Sequence, residues 1–238
     1  MIHNYIFDLY GTLVDIHTDE TMPSLWRRMA LLLSFQGAAY SAEELQKAYQ
    51  SAVSEQIDRR AEELPAVIKA HIEPDILPAF ESLYKQKGAS VSTDTVLDAA
   101  VFFRTLSLRH LRLYPDAKKV LRTLRERGNG VYLLSNAQAA FTVPELKTLG
   151  LIPLFDGIVL SSNVGVKKPD KSIFFHMLNK YGIHSEDCLM IGNDEEADII
   201  GARSVGMAAC YIHTKQSPSR KGALPEGTRE IKRLMDIL

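Results

Sequence analysis

Cysteine is scarce, with two among 238 residues. Cys188 and Cys210 sit in apolar, strand-like stretches without metal-ligand spacing. That excludes a disulfide framework and a thiolate metal centre, and leaves them as core residues in a reducing compartment. No block of basic residues occurs and the formal net charge is −1, so neither a nucleic acid nor a membrane surface is an expected partner. No apolar run reaches the ~20 residues that span a bilayer. Met1-Ile2-His3-Asn4 lacks a charged leader region and runs directly into an apolar segment, so a cytoplasmic location without a signal peptide is expected.

The composition leaves ample material for a buried core, because 46% of the residues are hydrophobic. The apolar run Tyr5-Ile6-Phe7 ends at Asp8, followed by Leu9-Tyr10-Gly11-Thr12, and reads as a buried strand closed by a glycine turn. From about Thr21 to Leu113 the spacing is helical. One helix covers Met22–Phe35, with Pro23 in its first turn. A second opens at Ser41, whose distance to Glu44 fits a capping box, and runs toward Leu64-Pro65. A third region spans Ala66–Lys87 with breaks at Pro74 and Pro78. A fourth, capped by Ser92 or Thr93, extends to about Leu111. Beyond Tyr114-Pro115 helices and strands alternate: helix Ala117–Arg127, strand Gly130–Leu134, helix Val143–Leu149, strand Gly157–Leu160, helix Ser172–Tyr181, strand Cys188–Ile191, helix Glu195–Val205 and a last central strand Ala208–Ile212. A terminal helix is expected over Arg229–Leu238. This order predicts an α/β fold, a doubly wound parallel sheet with an inserted helical unit. Residues 1–14 and 114–238 form the expected core domain and residues 15–113 the insertion.

Polar residues cluster where strands end, the place at which open α/β sheets collect their chemistry. They are Asp8 with Tyr10 and Thr12, Ser135 with Asn136, Lys168 before Pro169, and Asn193-Asp194 with Asp198. Each has a plain structural alternative. Ser135-Asn136 suits a strand-end turn that caps a helix. The acids of Asp194-Glu195-Glu196-Ala197-Asp198 suit a helix N-terminus, an explanation that covers Glu195 and Glu196. Were Asp194 and Asp198 to converge on Asp8, their mutual repulsion would call for a cation, and a carboxylate set poor in histidine suits Mg²⁺.

These four groups resemble, in order and spacing, the four motifs of the haloacid dehalogenase superfamily, and the insertion resembles its C1-type helical cap. The resemblance implies Asp8 as nucleophile through a covalent aspartyl intermediate, with Tyr10 and Lys168 also catalytic. It implies Thr12, Ser135 and Asn136 as substrate-binding residues. Mg²⁺ would be held by Asp8, the Tyr10 carbonyl, Asp194 and Asp198, with either Asn193 or Asp194 turned inward.

The chain departs from the superfamily's phosphatases at Tyr10, where they carry an acid. Tyrosine there resembles the metal-independent 2-haloacid dehalogenases, whose halide leaves unprotonated. Those enzymes have an amide where this chain has Glu195, and they use a cap arginine. Arg27 and Arg28 are available, although both fit a solvated helix face. The first expectation is a Mg²⁺-dependent phosphatase of a small phosphorylated metabolite. The alternatives are a 2-haloacid dehalogenase and a slow or non-catalytic phosphate-binding module. Hinges are expected near Asp15–Thr21 and Leu113–Pro115. A monomer or homodimer is expected.

Overall fold

A computed structural model describes residues 1–63, 71–220 and 222–238. Its centre is a six-stranded parallel sheet in the order β5-β4-β1-β6-β7-β8. The strands are β1 (Asn4–Phe7), β4 (Gly130–Ser135), β5 (Gly157–Leu160), β6 (Cys188–Gly192), β7 (Ala208–Ile212) and β8 (Arg229–Ile231). A sheet covered on both faces needs apolar residues on both sides of each strand. Phe7, Leu133, Ile191 and Cys210 face a core that contains helix α5 (Ala117–Glu126). Their neighbours Ile6, Leu134, Met190 and Tyr211 face the opposite core with helix α8 (Lys171–Tyr181). The period of two along a strand thus serves two cores at once.

β1 lies between β4 and β6, in register at Phe7↔Leu133 and Phe7↔Ile191. The residues that follow these three strands therefore emerge side by side. This single feature of topology gathers positions far apart in sequence.

Between β2 (Val14–Thr18) and β3 (Leu108–Leu113) lie α1 (Pro23–Phe35), α2 (Ala42–Glu63), α3 (Leu77–Lys85) and α4 (Thr93–Ser107). Ser41 and Glu44 exchange the two capping bonds expected of them, at 3.2 and 3.4 Å, and Ser92 accepts the Thr95 N–H at 3.1 Å. The third expected helical region falls partly outside the described residues. Its visible helix starts at Leu77 with Pro78 in the first turn, where the missing N–H costs nothing. These helices enclose their own apolar cluster, with Trp26, Tyr49, Phe80 and Phe103 in mutual ring contact. Ala140 and Phe141 of α6 (Ala139–Thr148) join that cluster.

Four expectations are corrected. The fourth helix ends at Ser107, because Leu108–Leu113 pairs antiparallel with Val14–Thr18 as a two-stranded ribbon. Cross-strand bonds reinforce that pairing: Asp15 meets His110 at 2.9 Å and Arg112 at 2.6 Å. The terminal helix is instead β8 followed by a short 3₁₀ turn over Leu234–Ile237. Ile231, Leu234 and Ile237, all buried in the core, have a spacing that mimics a helix face, but the sheet edge offers β8 a partner strand. Helix α6 begins at Ala139, four residues earlier than expected, and carries Pro144 in its interior. Glu195–Val205 is not a uniform helix: Glu195–Ile200 forms wide π-helical turns and Gly201–Arg203 (α9) an α-turn. A short helix, α7 (Ser161–Val164), precedes the Lys168 loop.

Candidate active site

Asp8 follows the last residue of β1, and its N–H donates to the Ile191 carbonyl at 2.9 Å. The chain then reverses tightly: Gly11 N–H donates to the Val14 carbonyl at 2.8 Å, and Gly11 takes φ +82°. A side chain at Gly11 would overlap the Asn193 amide. Glycine is thus required both by the left-handed backbone and by the approach of the β6 loop. Thr214, beyond β7, ties this turn down with a 2.7 Å bond to the Gly11 carbonyl.

Asp8 is 7% exposed and both its carboxylate oxygens are engaged. Oδ1 accepts from Lys168 Nζ at 2.8 Å and from Ser135 Oγ at 3.3 Å, while the Thr12 hydroxyl lies 3.1 Å from Oδ2. Lys168 is 3% exposed. Its ammonium also donates to the Leu134 carbonyl at 2.8 Å and to Asp198 Oδ1 at 2.7 Å. Burial alone would lower the Lys168 pKa, but the charges of Asp198 and Asp8 outweigh it and hold the ammonium above its ordinary range. Asp198 shares that single cation with Asp8, and burial pushes its carboxyl up while Lys168 opposes the shift. Its second oxygen accepts the Asp194 N–H at 3.0 Å.

Asn136 borders the cavity that Asp8 lines. Its amide grips the Lys168 backbone in both directions, accepting the N–H at 2.8 Å and donating to the carbonyl at 3.0 Å. It thereby fixes the loop that carries the lysine. Asp194 also borders the cavity beside Asp8, and its Oδ1 caps the following turn by accepting the Glu196 and Ala197 N–H groups, each at 2.9 Å. Asn193 is the residue that turns inward: it is 5% exposed, and its Oδ1 lies 3.1 Å from the Thr12 hydroxyl. Asp198 places Oδ1 on Lys168 and Oδ2 on the Asp194 N–H. Arg27 and Arg28 lie on the exposed face of α1.

Tyr10 turns its hydroxyl toward helix α6. Its hydroxyl donates a very short bond to Glu145 Oε2 and lies 2.9 Å from Thr142 Oγ1. Arg104 of α4 completes the group with a 2.6 Å bond from Nε to Glu145 Oε1, and its guanidinium stands 5.9 Å from the Tyr10 ring centroid. Burial, with the Glu145 charge added, drives the Tyr10 phenol well above its ordinary range. Sequence reasoning missed Arg104, Thr142 and Glu145. Thr142 and Glu145 stand three apart on one face of α6, and no motif marks them.

Asp8, Ser135, Lys168, Asn193 and Asp194 line one cavity of about 190 Å³, closed on one side by Gln216 and Pro218. Gln216 is held there by a short bond from its amide to the Ile16 carbonyl in β2. A second depression of about 380 Å³ shares Asp194 and Pro218 with it. Among the described residues no group of three or more His, Cys, Asp or Glu side chains is gathered to hold a metal ion. A smaller oxygen set is present, however. Asp8 Oδ2 and Asn193 Oδ1 both converge on the Thr12 hydroxyl, and Tyr10 borders the same cavity. One carboxylate with neutral oxygens suits Mg²⁺, which keeps several waters.

The doubly wound sheet thus sets a strand-end carboxylate against the lysine of a neighbouring loop. Residues 2–206 match the family model of haloacid dehalogenase-like hydrolases, and the chain belongs to that family. It is 32% identical over 146 residues to a phosphoserine phosphatase of Thermus thermophilus, covering 61% of this chain and 57% of that one. It is 27% identical to a phosphoglycolate phosphatase of Yersinia pseudotuberculosis, covering 86% of this chain and 78% of the relative. Among solved structures, a 2-haloacid dehalogenase from Pseudomonas syringae superposes with a TM-score of 0.66 at 18% identity, covering 100% and 96% of the two chains. No helix among the described residues is long and apolar enough to cross a membrane.

Proposed function

We propose that the protein is a phosphatase of small phosphorylated molecules, acting through Asp8. The observation that carries this reading is the Asp8 carboxylate itself, held between Lys168, Ser135 and Thr12 at the mouth of a polar cavity. Asp8 attacks phosphorus and the bond to the leaving oxygen breaks. Water then displaces Asp8 from the aspartyl-phosphate, so one hard displacement becomes two easier ones. Lys168 lies 2.8 Å from the nucleophile and balances charge on the transferred group. Ser135 orients the attacking carboxylate, and Asn136 positions Lys168 through its backbone.

Two buried carboxylates and one ammonium leave the site with an excess negative charge, which opposes a phosphate dianion. Mg²⁺ on Asp8, the Tyr10 carbonyl and Asn193 would reverse that balance by neutralising the phosphoryl oxygens. The relatives described above, named as phosphatases of phosphoserine and phosphoglycolate, support the same substrate class. The helices of residues 15–113 serve in this reading as a lid over the core, swinging on the β2–β3 ribbon and excluding water when shut.

A second reading, hydrolytic dehalogenation of a small 2-halo acid, draws on Tyr10, because an engaged phenol suits a leaving group that needs no proton. Hydrolysis of an aryl phosphate with and without Mg²⁺, with Asp8→Asn as blank, separates the two. Phosphate release that requires Mg²⁺ and vanishes in Asp8→Asn is expected. Halide release from a 2-halo acid in EDTA, without phosphatase activity, would replace this reading with the second.

A further inference from the structure

Among the described residues the ammonium and hydroxyl hydrogens around Asp8 are committed, and the other side-chain donors of the cavity are amides, which do not release protons. The three ammonium hydrogens of Lys168 meet three acceptors, Asp8 Oδ1, the Leu134 carbonyl and Asp198 Oδ1. The hydroxyl of Ser135 goes to Asp8, and that of Thr12 is shared between Asp8 and Asn193. The amide of Asn136 donates to the Lys168 carbonyl, and that of Gln216 to Ile16. Both oxygens of Asp198 accept, and Asp194 accepts two backbone N–H groups.

Tyr10 carries the remaining hydroxyl among the residues that line the cavity, two positions after Asp8. Its one hydrogen is given to Glu145, whose charge is in turn met by Arg104. Glu145 is 6% exposed and Thr142 1%, so the hydroxyl has little room to rotate toward a substrate. Releasing it would strand a buried carboxylate without its donor, which is costly.

We infer that this site selects substrates by their leaving group, taking phosphoryl compounds whose leaving oxygen departs as a stable anion, acyl and aryl phosphates foremost, over simple alkyl phosphates. The inference rests on the phosphatase reading of the same site. In the transfer step an Asp8 oxygen bonds to phosphorus and the bond from phosphorus to the leaving oxygen breaks. The electron pair stays on that oxygen, which leaves as a carboxylate or phenolate and meets a proton only in bulk water. In the second step water bonds to phosphorus, Asp8 regains its carboxylate, and the proton of the water passes to solvent. A positioned general acid contributes about 10²–10⁴-fold to rate, and that is the advantage alkyl esters lose here.

The test compares kcat/KM of the full chain, with Mg²⁺ present, for ethyl phosphate and 2,2,2-trifluoroethyl phosphate, with acetyl and p-nitrophenyl phosphate as reference substrates. The first two are near-equal in shape and differ chiefly in leaving-group acidity, and kcat/KM reports the step in which that group departs. The fluorinated ester is expected to be favoured by at least about 100-fold, the lower bound of a general acid's worth; a smaller ratio overturns the inference. Tyr10→Phe is expected to change both esters by one common factor. If it slows ethyl phosphate more than the fluorinated ester, Tyr10 is the acid and the inference fails. Should that variant not fold, the ratio in the unmodified protein still decides. Silence on all four phosphates refutes the phosphatase reading and this inference together, a pattern distinct from turnover with a flat leaving-group profile.

Discussion

Lys168 is the hinge of the local electrostatics, since one ammonium answers two carboxylates at 2.8 and 2.7 Å. Removing one partner of a buried pair leaves an uncompensated charge, at about 3–5 kcal/mol. Lys168→Met is therefore expected to abolish turnover and to lower stability by about that amount at neutral pH. Asp198 is pushed upward by burial and held down by Lys168, so without the lysine its pKa rises further. The stability deficit should shrink as the pH is lowered and Asp198 takes up a proton. Lys168→Met combined with Asp198→Asn is expected to be more stable than the single variant and equally inactive. Denaturant unfolding at two pH values, beside an activity assay, measures both parts; a deficit that does not change with pH would contradict this account. At this scale Asp8, Ser135 and Lys168 were legible because each ends a strand or precedes a proline. Choosing between Asn193 and Asp194 was not, since adjacent residues in a turn can exchange directions. The outcome depends on the Gly11 approach and the free N–H groups of Glu196 and Ala197.

Among the elements, the β2–β3 ribbon departs most from its helical reading, and it is where the chain leaves and re-enters the core. Leu106, Leu108, Leu111 and Leu113 fit either period, and short apolar runs do not separate helix from strand. What decides is the distant partner Val14–Thr18, with Asp15 opposite Arg112 and His17 opposite His110. The hydrogen bond from His110, followed by that from Arg112, holds the Asp15 carboxyl below its ordinary value. A depressed folded pKa gives stability that is present above the unfolded value of about 3.9 and lost as pH falls through the folded value. Asp15→Asn should therefore melt below the unmodified protein at pH 7, and the two curves should converge only as the pH falls through the depressed folded value, below which both side chains are neutral. A gap in melting temperature that persists into acid would show that the side chain acts through packing instead. The parallel, doubly wound sheet, by contrast, was legible from the alternation of helices and strands. The edge strand β8 was missed because three residues carry too little pattern to name.

Across the whole molecule, the site exists because β1 is flanked by β4 and β6, which sets Asp8 beside Ser135 and Asn193 although they are more than a hundred residues apart. The Lys168 loop and the segment of Thr214–Gln216 close the ring from two further directions. The helices between β2 and β3 reach the same site through Arg104, whose bond to Glu145 of α6 joins the two apolar clusters over Tyr10. No sequence pattern shows this contact, because it depends on the docking of two separately packed layers. In the proposed reading the arrangement serves one oxygen nucleophile, Asp8, and its covalent intermediate gives the most direct test. The full chain in molar excess over p-nitrophenyl phosphate is quenched in acid during the first turnover, trapped with borohydride and mapped by mass spectrometry. The expected result is a phosphoryl-dependent modification of Asp8 alone, absent in Asp8→Asn. Turnover without any modification at Asp8, or undiminished turnover in Asp8→Asn, would contradict the account.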